Sequence, residues 1–260
     1  MGWVSLALLA SHFSMIGFPL PVEDRGSMET ELIAHVEQCA LVPLAKDDDL
    51  CIVEDASGAE LWIGLRKGAG DRMEIATVNP ALRGEGSMAV VVESDVSPAE
   101  WKPFETAIQV HFGGLEVPFV MDLADPREAP RFTRKAKLNV DLTAFADSLT
   151  LYESEAAFSA SQKGREIQYA ADYFIPSGMF AAEGPGEAAP SAHVAFAGKI
   201  LKSDLRQNGT GKGSYWWMLV ETLSGARINV VADPAMVKAP PRVGGHLEGE
   251  FWISGRLPRN

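Results

Sequence analysis

The stretch Gly209-Thr210-Gly211-Lys212-Gly213-Ser214 has the residue types of a phosphate-cradling loop. Its spacing does not fit one. Such a loop needs a glycine with four residues between it and Gly211, where Arg206 stands, and a Ser or Thr after the lysine, where Gly213 stands. A strand pattern follows instead of a helix, so no helix N-terminus is available to hold an anion. The stretch reads as a flexible hairpin loop. Other enzyme signatures are missing: there is no Gly-x-Ser-x-Gly, no His-Glu-x-x-His, no Cys-x-x-Cys and no dinucleotide fingerprint. His12, His35, His111, His193 and His246 are scattered, and acidic residues are so many before Ala192 that spacing singles out no acid/base pair. His35 and Cys39 stand four apart on an expected helix, with Cys51 beyond. That makes three zinc-type donors without a fourth at a recognised spacing, so the expectation is two reduced, buried cysteines and no metal or cofactor. Asp47-Asp48-Asp49 reads as a solvated loop.

A more pointed candidate comes from period-two alternation near the C-terminus. If Trp216, Met218 and Val220 point inward with Phe196, Ile228, Val230, Phe251 and Ile253, then Lys199, Tyr215, Trp217, Arg227, Asn229, Trp252 and Arg256 point outward. Three aromatics and three cations on one face could stack nucleic-acid bases or another planar ligand. Glu221, Asp233, Glu248 and Glu250 fall on the same side, which weakens attraction for a polyanion. The competing reading is a packing seam in which the rings anchor another part of the chain.

The elements that must carry this face are short strands. Val194 to Ile200, Tyr215 to Leu223, Ile228 to Ala232 and Leu247 to Leu257 are closely spaced around turns, which predicts a small OB-like barrel over 192–260. Phe104 to Phe112, Pro118 to Leu123 and Leu138 to Leu149 repeat the order, including Ala124-Asp125-Pro126 against Ala232-Asp233-Pro234, which predicts a second OB-like barrel over 86–150. Residues 11–85 read as an α/β segment: a helix over Ser27 to Val42 with Ser27 as N-cap, then a hairpin from Leu50 to Val53 and Glu60 to Leu65. Residues 151–191 hold a helix over Tyr152 to Gln168, an apolar turn from Phe174 to Phe180 and a Gly/Pro-rich linker from Ala181 to Ser191. The fold class is therefore β-rich α+β: two tandem OB-like barrels behind an N-terminal helix and hairpin.

The stretches SHFSMIGF (Ser11 to Phe18), SGAELW (Ser57 to Trp62), IPSGMF (Ile175 to Phe180), WMLVETL (Trp217 to Leu223), VADP (Val231 to Pro234) and VGG with FWISGRL (Val243 to Leu257) resemble a family of uncharacterised bacterial proteins. The resemblance covers nearly everything from Ser11 onward. It implies no activity, cofactor or catalytic residue.

Composition narrows the partner. The 260 residues carry a net charge of −12, which argues against a general binder of phosphate backbones or anionic membranes. The last 69 residues carry 9 Lys and Arg against 5 Asp and Glu, and the rest carry 14 against 30, so the acidity belongs to the first three quarters. Trp3 to Ala10 is an apolar run too short to span a bilayer and has no preceding Lys or Arg, so residues 1–10 read as an extension upstream of the true start. No membrane association is expected, and the location expected is the cytoplasm. The function expected is a non-catalytic binding or interaction module for another protein. The alternatives are a single-stranded nucleic-acid or planar-ligand binder using the C-terminal face, and a hydrolase whose acid/base site spacing does not locate.

Overall fold

The structure is a computed structural model that describes residues 12–68, 70, 72–115, 117–177 and 191–258. The expected extension at 1–10, positions 178–180 of the apolar turn and 181–190 of the linker lie outside the described residues. Among those described, strands dominate, helices are few, and the strands form two sheets.

Helix α1 (Arg25–Val36) is capped by Asp24 rather than Ser27, its carboxylate accepting from the backbone N–H groups of Gly26 and Ser27. A first turn leaves such donors unpaired, and a carboxylate beside them also suits the positive end of the helix. The helix stops short of Val42 because Leu41–Ala45 is strand β1. It is followed by β2 (Asp48–Glu54), β3 (Ala59–Lys67) and β4 (Met73–Leu82) in a four-stranded antiparallel sheet of that order. Cys39 and Cys51, expected to be reduced, form a disulfide with their Cα atoms 5.7 Å apart. Both faces of β3 are buried. Leu61, Ile63 and Leu65 pack with Phe13, Ile16, Phe18, Met28 and Leu32, while Trp62 packs with Leu50, Ala81 and Phe104.

The second sheet holds β5 (Met88–Asp95), β6 (Ala107–Phe112), β7 (Pro118–Leu123), β8 (Lys137–Tyr152), β9 (Phe174–Pro176), β10 (His193–Gln207), β11 (Ser214–Thr222), β12 (Ala226–Ala232) and β13 (His246–Arg256). The internal repeat read from the sequence reappears as strand pairing. In the first copy β5, β6 and β7 pair antiparallel in series, and β8 returns to β5; in the second, β10, β11 and β12 do the same, and β13 returns to β10. Each copy is then closed by the last strand of the other. β7 lies parallel to β13, β12 lies parallel to β8, and β8 and β13 pair antiparallel along most of their length. The result is a ring of strands β5-β6-β7-β13-β8 joined to a ring β10-β11-β12-β8-β13 through two shared strands. This corrects the tandem arrangement, because strands of 86–150 pair directly with strands of 192–260 instead of closing separately.

Between the copies, β8 continues through Tyr152, and helix α2 is confined to Glu155–Gln162, capped by Ser154. The apolar turn contributes β9, which pairs with β10 and sets Phe174 against Phe112, Phe119 and Phe196.

Alternation along β11 divides two cores. Met218 and Val220 belong to an apolar cluster drawn from both rings, with Val90, Val110, Met121, Leu142, Phe196, Ile228 and Phe251. Tyr215, Trp217 and Leu219 belong to a second cluster with Phe13, Ile16, Phe18, Leu61 and Ile63. The outer face of β11 is thus covered by the N-terminal segment and the four-stranded sheet.

The Gly209-to-Ser214 loop is a hairpin connection as expected, but it is pinned and not flexible. Asn208 is fully buried, donating from Nδ2 to the Ile16 carbonyl and accepting at Oδ1 from the Thr210 and Gly211 N–H groups. Gly213 N–H donates to the Gly17 carbonyl, and Asp55 accepts from Thr210. A Cβ at Gly211 would stand 2.2 Å from the Gly17 oxygen, so glycine is needed there for close approach.

One ion pair ties the two sheets together. Glu60 on β3 is fully buried and lies 2.8 Å from the Arg256 guanidinium of β13 and 2.8 Å from Arg83, and it accepts from Trp62 Nε1–H. Removing one charge from a buried pair leaves the other without compensation. Glu60→Gln is expected to cost about 3–5 kcal/mol in urea unfolding, and Arg83→Ala much less, since the Arg83 side chain is 39% exposed. A Glu60→Gln loss no larger than that of Arg83→Ala would show that the buried pair does not hold the sheets together.

Candidate functional site

A cavity of about 350 Å³ opens where the four-stranded sheet, the segment around Pro98 to Trp101 and strands β7 and β13 meet. Its walls are mostly apolar and aromatic, including Pro80, Val96, Ala107, Val120 and Trp252, and Trp101 lies against it with 38% of its surface exposed. Its ionisable lining residues, among those described, are His12, Glu105, Asp122 and His193.

The strand exchange builds this site. The parallel pairing of β7 with β13 sets Asp122 opposite Ser254, which brings its Oδ2 within 2.6 Å of Trp252 Nε1, the indole N–H donating. Burial pushes the Asp122 carboxyl up to about 7; the indole hydrogen bond works against this and the Glu105 charge adds to it. Glu105 accepts from the Thr77 hydroxyl at 2.6 Å.

A register shift in the β8–β13 ladder supplies the next group. Ser148 pairs with Glu250 and Ala146 with Phe251, so Asp147 is the extra residue of a bulge, a feature that re-aims a side chain. Asp147 turns to two histidines. Its Oδ1 lies 2.9 Å from His12 Nε2 and its Oδ2 3.7 Å from His193 Nε2. His12 is buried, stacks on the Trp252 ring at 5.2 Å and has no hydrogen-bond partner for Nδ1 among the described residues. Burial holds the His193 imidazole below its ordinary range, with Asp147 opposing. Its Nδ1 lies 3.3 Å from the Ser191 hydroxyl.

The structure disperses the face expected from alternation. Tyr215, Trp217, Asn229, Trp252 and Arg256 do lie away from the ring core, but that side is covered. Tyr215 is fully buried and donates to the Ser57 carbonyl. Trp217 donates to Asn229 and lies under Arg206, whose guanidinium is 3.9 Å from the ring centroid. Asn229, fully buried, also accepts from Glu85 N–H and donates to the Leu142 carbonyl. Arg256 is spent on Glu60. Only Lys199 and Arg227 are exposed, and Arg227 lies 3.5 Å from Glu221. The exposed aromatic and cationic surface is therefore corrected to a packing seam, and of its members Trp252 alone reaches the cavity.

Sequence reasoning missed Glu105, Asp122, Asp147 and Trp101, and placed His12 and His193 among scattered histidines. The duplication gave no signal for Asp122, since the shared Ala-Asp-Pro sets it opposite Val230, an apolar position of β12. The bulge at Asp147 leaves no mark in the residue pattern.

No protein-family model matches the chain, and no curated protein matches it.

Asp122 carries a pH signature. Its folded-state pKa is raised, so its contribution is fully present below the ordinary carboxylate range and is lost as pH rises through about 7. Asp122→Asn, which can still accept from Trp252, is expected to match the parent protein at pH 4 and to melt higher at pH 8, by on the order of 5 °C. Thermal scans from pH 4 to 8 check this, and a constant difference across the range would contradict it.

Proposed function

We propose that the protein is a non-catalytic binding module whose ligand is a small molecule seated in the cavity beside Asp122. The observation that carries this reading is the cavity itself: apolar and aromatic walls with a few polar groups among them, in the size range of small-molecule sites, roughly 300–1,000 Å³. Asp122, His193, Trp252 and Ser254 come from β7, β10 and β13, strands fixed by the ring pairing, so that side of the site is largely pre-formed. A protein partner, the expectation from sequence, is the wider form of the same reading, and Ile33, Leu41 and Val243 are large apolar side chains left exposed for it. Membership of the uncharacterised family stays part of the proposal. So does an OB-like character for each ring, supported by five strands in each.

No helix among the described residues is long and apolar enough to cross a membrane. The Cys39–Cys51 disulfide favours an oxidising compartment over the cytoplasm, because reducing compartments keep such pairs open.

Indole, a neutral aromatic of fitting size, is the simplest probe of the cavity. Saturation-transfer NMR is expected to show it binding, with the signal lost in Ala107→Phe, which fills the space, while far-ultraviolet circular dichroism stays unchanged. A signal indifferent to Ala107→Phe would place the indole elsewhere and end this reading.

A second reading, hydrolysis, is favoured by one specific observation, the chain of contacts from Ser191 Oγ through His193 to Asp147 at the cavity edge. A serine activated by an imidazole that a carboxylate orients is the arrangement used in acyl transfer. A fluorophosphonate probe, read by intact mass, is expected under this reading to label Ser191 and to fail in His193→Ala. No adduct on the folded protein removes it.

A further inference from the structure

We propose that the cavity is a receptor for an organic cation, a primary or substituted amine on an apolar body. This rests on the cavity being the ligand site and names the chemical class it takes.

The argument starts from charge. Asp122 and Glu105 both line the cavity, and none of the described lining residues is Lys or Arg. Among the described residues, Asp122 hydrogen-bonds to an indole N–H, a neutral donor, and Glu105 to the Thr77 hydroxyl. A third carboxylate, Asp147, lies behind the two lining histidines, each of which turns its Nε2 toward it. Elsewhere among the described residues, the buried carboxylates are either matched with cations or, like Asp55, held by several N–H and hydroxyl donors at once. Glu60 has Arg256 and Arg83, and Asp125 holds Arg127 through two hydrogen bonds of 2.8 and 2.7 Å. The cavity is where carboxylates face a shared apolar space without a cation of their own. A carboxylate taken out of water needs a partner or loses its charge, and an ammonium group entering here would supply that partner.

The rest of the lining suits what such a ligand would carry. Pro80, Val96, Ala107 and Val120 offer apolar surface for its body. Trp101, partly exposed, also lines the cavity, and indole is the side-chain ring that attracts cations most strongly. An anion would meet two carboxylates and no Lys or Arg among the described lining residues, and the two histidines already face Asp147, so the same geometry disfavours it.

Three probes of one shape separate the possibilities: tryptamine, its alcohol analogue indole-3-ethanol, and indole-3-propionate, titrated at pH 8 by calorimetry or ligand-observed NMR. The expected order is tryptamine tighter than the alcohol by about tenfold or more, and propionate weakest. Asp122→Asn is expected to bring tryptamine down to the level of the alcohol, with the alcohol unchanged. Propionate binding as tightly as tryptamine, or a tryptamine preference that survives both Asp122→Asn and Glu105→Gln, overturns the cation assignment while leaving the cavity as a ligand site. Failure of all three probes and of indole overturns the cavity reading as well.

Discussion

The antiparallel ribbon of β8 and β13 is the constraint on which the rest of the structure depends. Its outer edges are each divided between the two copies. Residues 137–140 of β8 pair with β5 and 143–145 with β12; residues 246–252 of β13 pair with β10 and 254–255 with β7. Neither ring can close without a strand from the other copy. A ladder that began and ended within one copy would leave the far edge of each ring with unpaired N–H and C=O groups, which small sheets cannot leave exposed without cost. The exchange removes those edges and makes the two halves a single cooperative arrangement, held by contacts far apart in sequence.

The rings are apolar on their outer side as well. Tyr215, Trp217 and Leu219 on β11, Val231 on β12 and Phe145 on β8 need a cover, and Phe13, Ile16 and Phe18 with the inner face of β3 provide it. Covering that surface also buries polar groups, and Asn229 and Arg256 among them are met. Asn229 spends three hydrogen bonds on Trp217, Glu85 and Leu142, and Arg256 is met by Glu60. Because an unpaired buried polar group costs more than a made bond gains, these pairs fix where the four-stranded sheet sits more than they add to stability.

Much of the strand order was legible in the residues. Period-two alternation assigned the faces of β11 and β13 correctly, and the turn residues bounded Pro118–Leu123 to the residue. The repeat was legible because both copies keep the same run of turn, strand and Ala-Asp-Pro. What alternation cannot say is whether an outer face meets water or another layer. That is why Tyr215, Trp217 and Arg256 read as a surface and are in fact a seam. Ser27 lost the cap to Asp24 because both are good caps and only the geometry of the entering chain decides between them. The exchange of last strands was invisible for a different reason: β8 and β13 have the same pattern whichever copy they close.

That exchange also explains why the candidate site escaped reading. Asp122 and Trp252 are neighbours only because β7 pairs with β13, and Asp147 turns to His12 and His193 only because a bulge interrupts β8. A carboxylate at the end of a strand in an acidic stretch looks like any other solvated charge. Its placement against an indole and a second carboxylate, behind apolar walls, makes the ionised form the unfavourable one. The fold can hold Asp122 there cheaply only while it is protonated, so whatever enters the cavity and favours the charged form does work that the protein's own residues do not do. A group with that property is hard to explain as packing, since an asparagine would make the same indole hydrogen bond without the penalty.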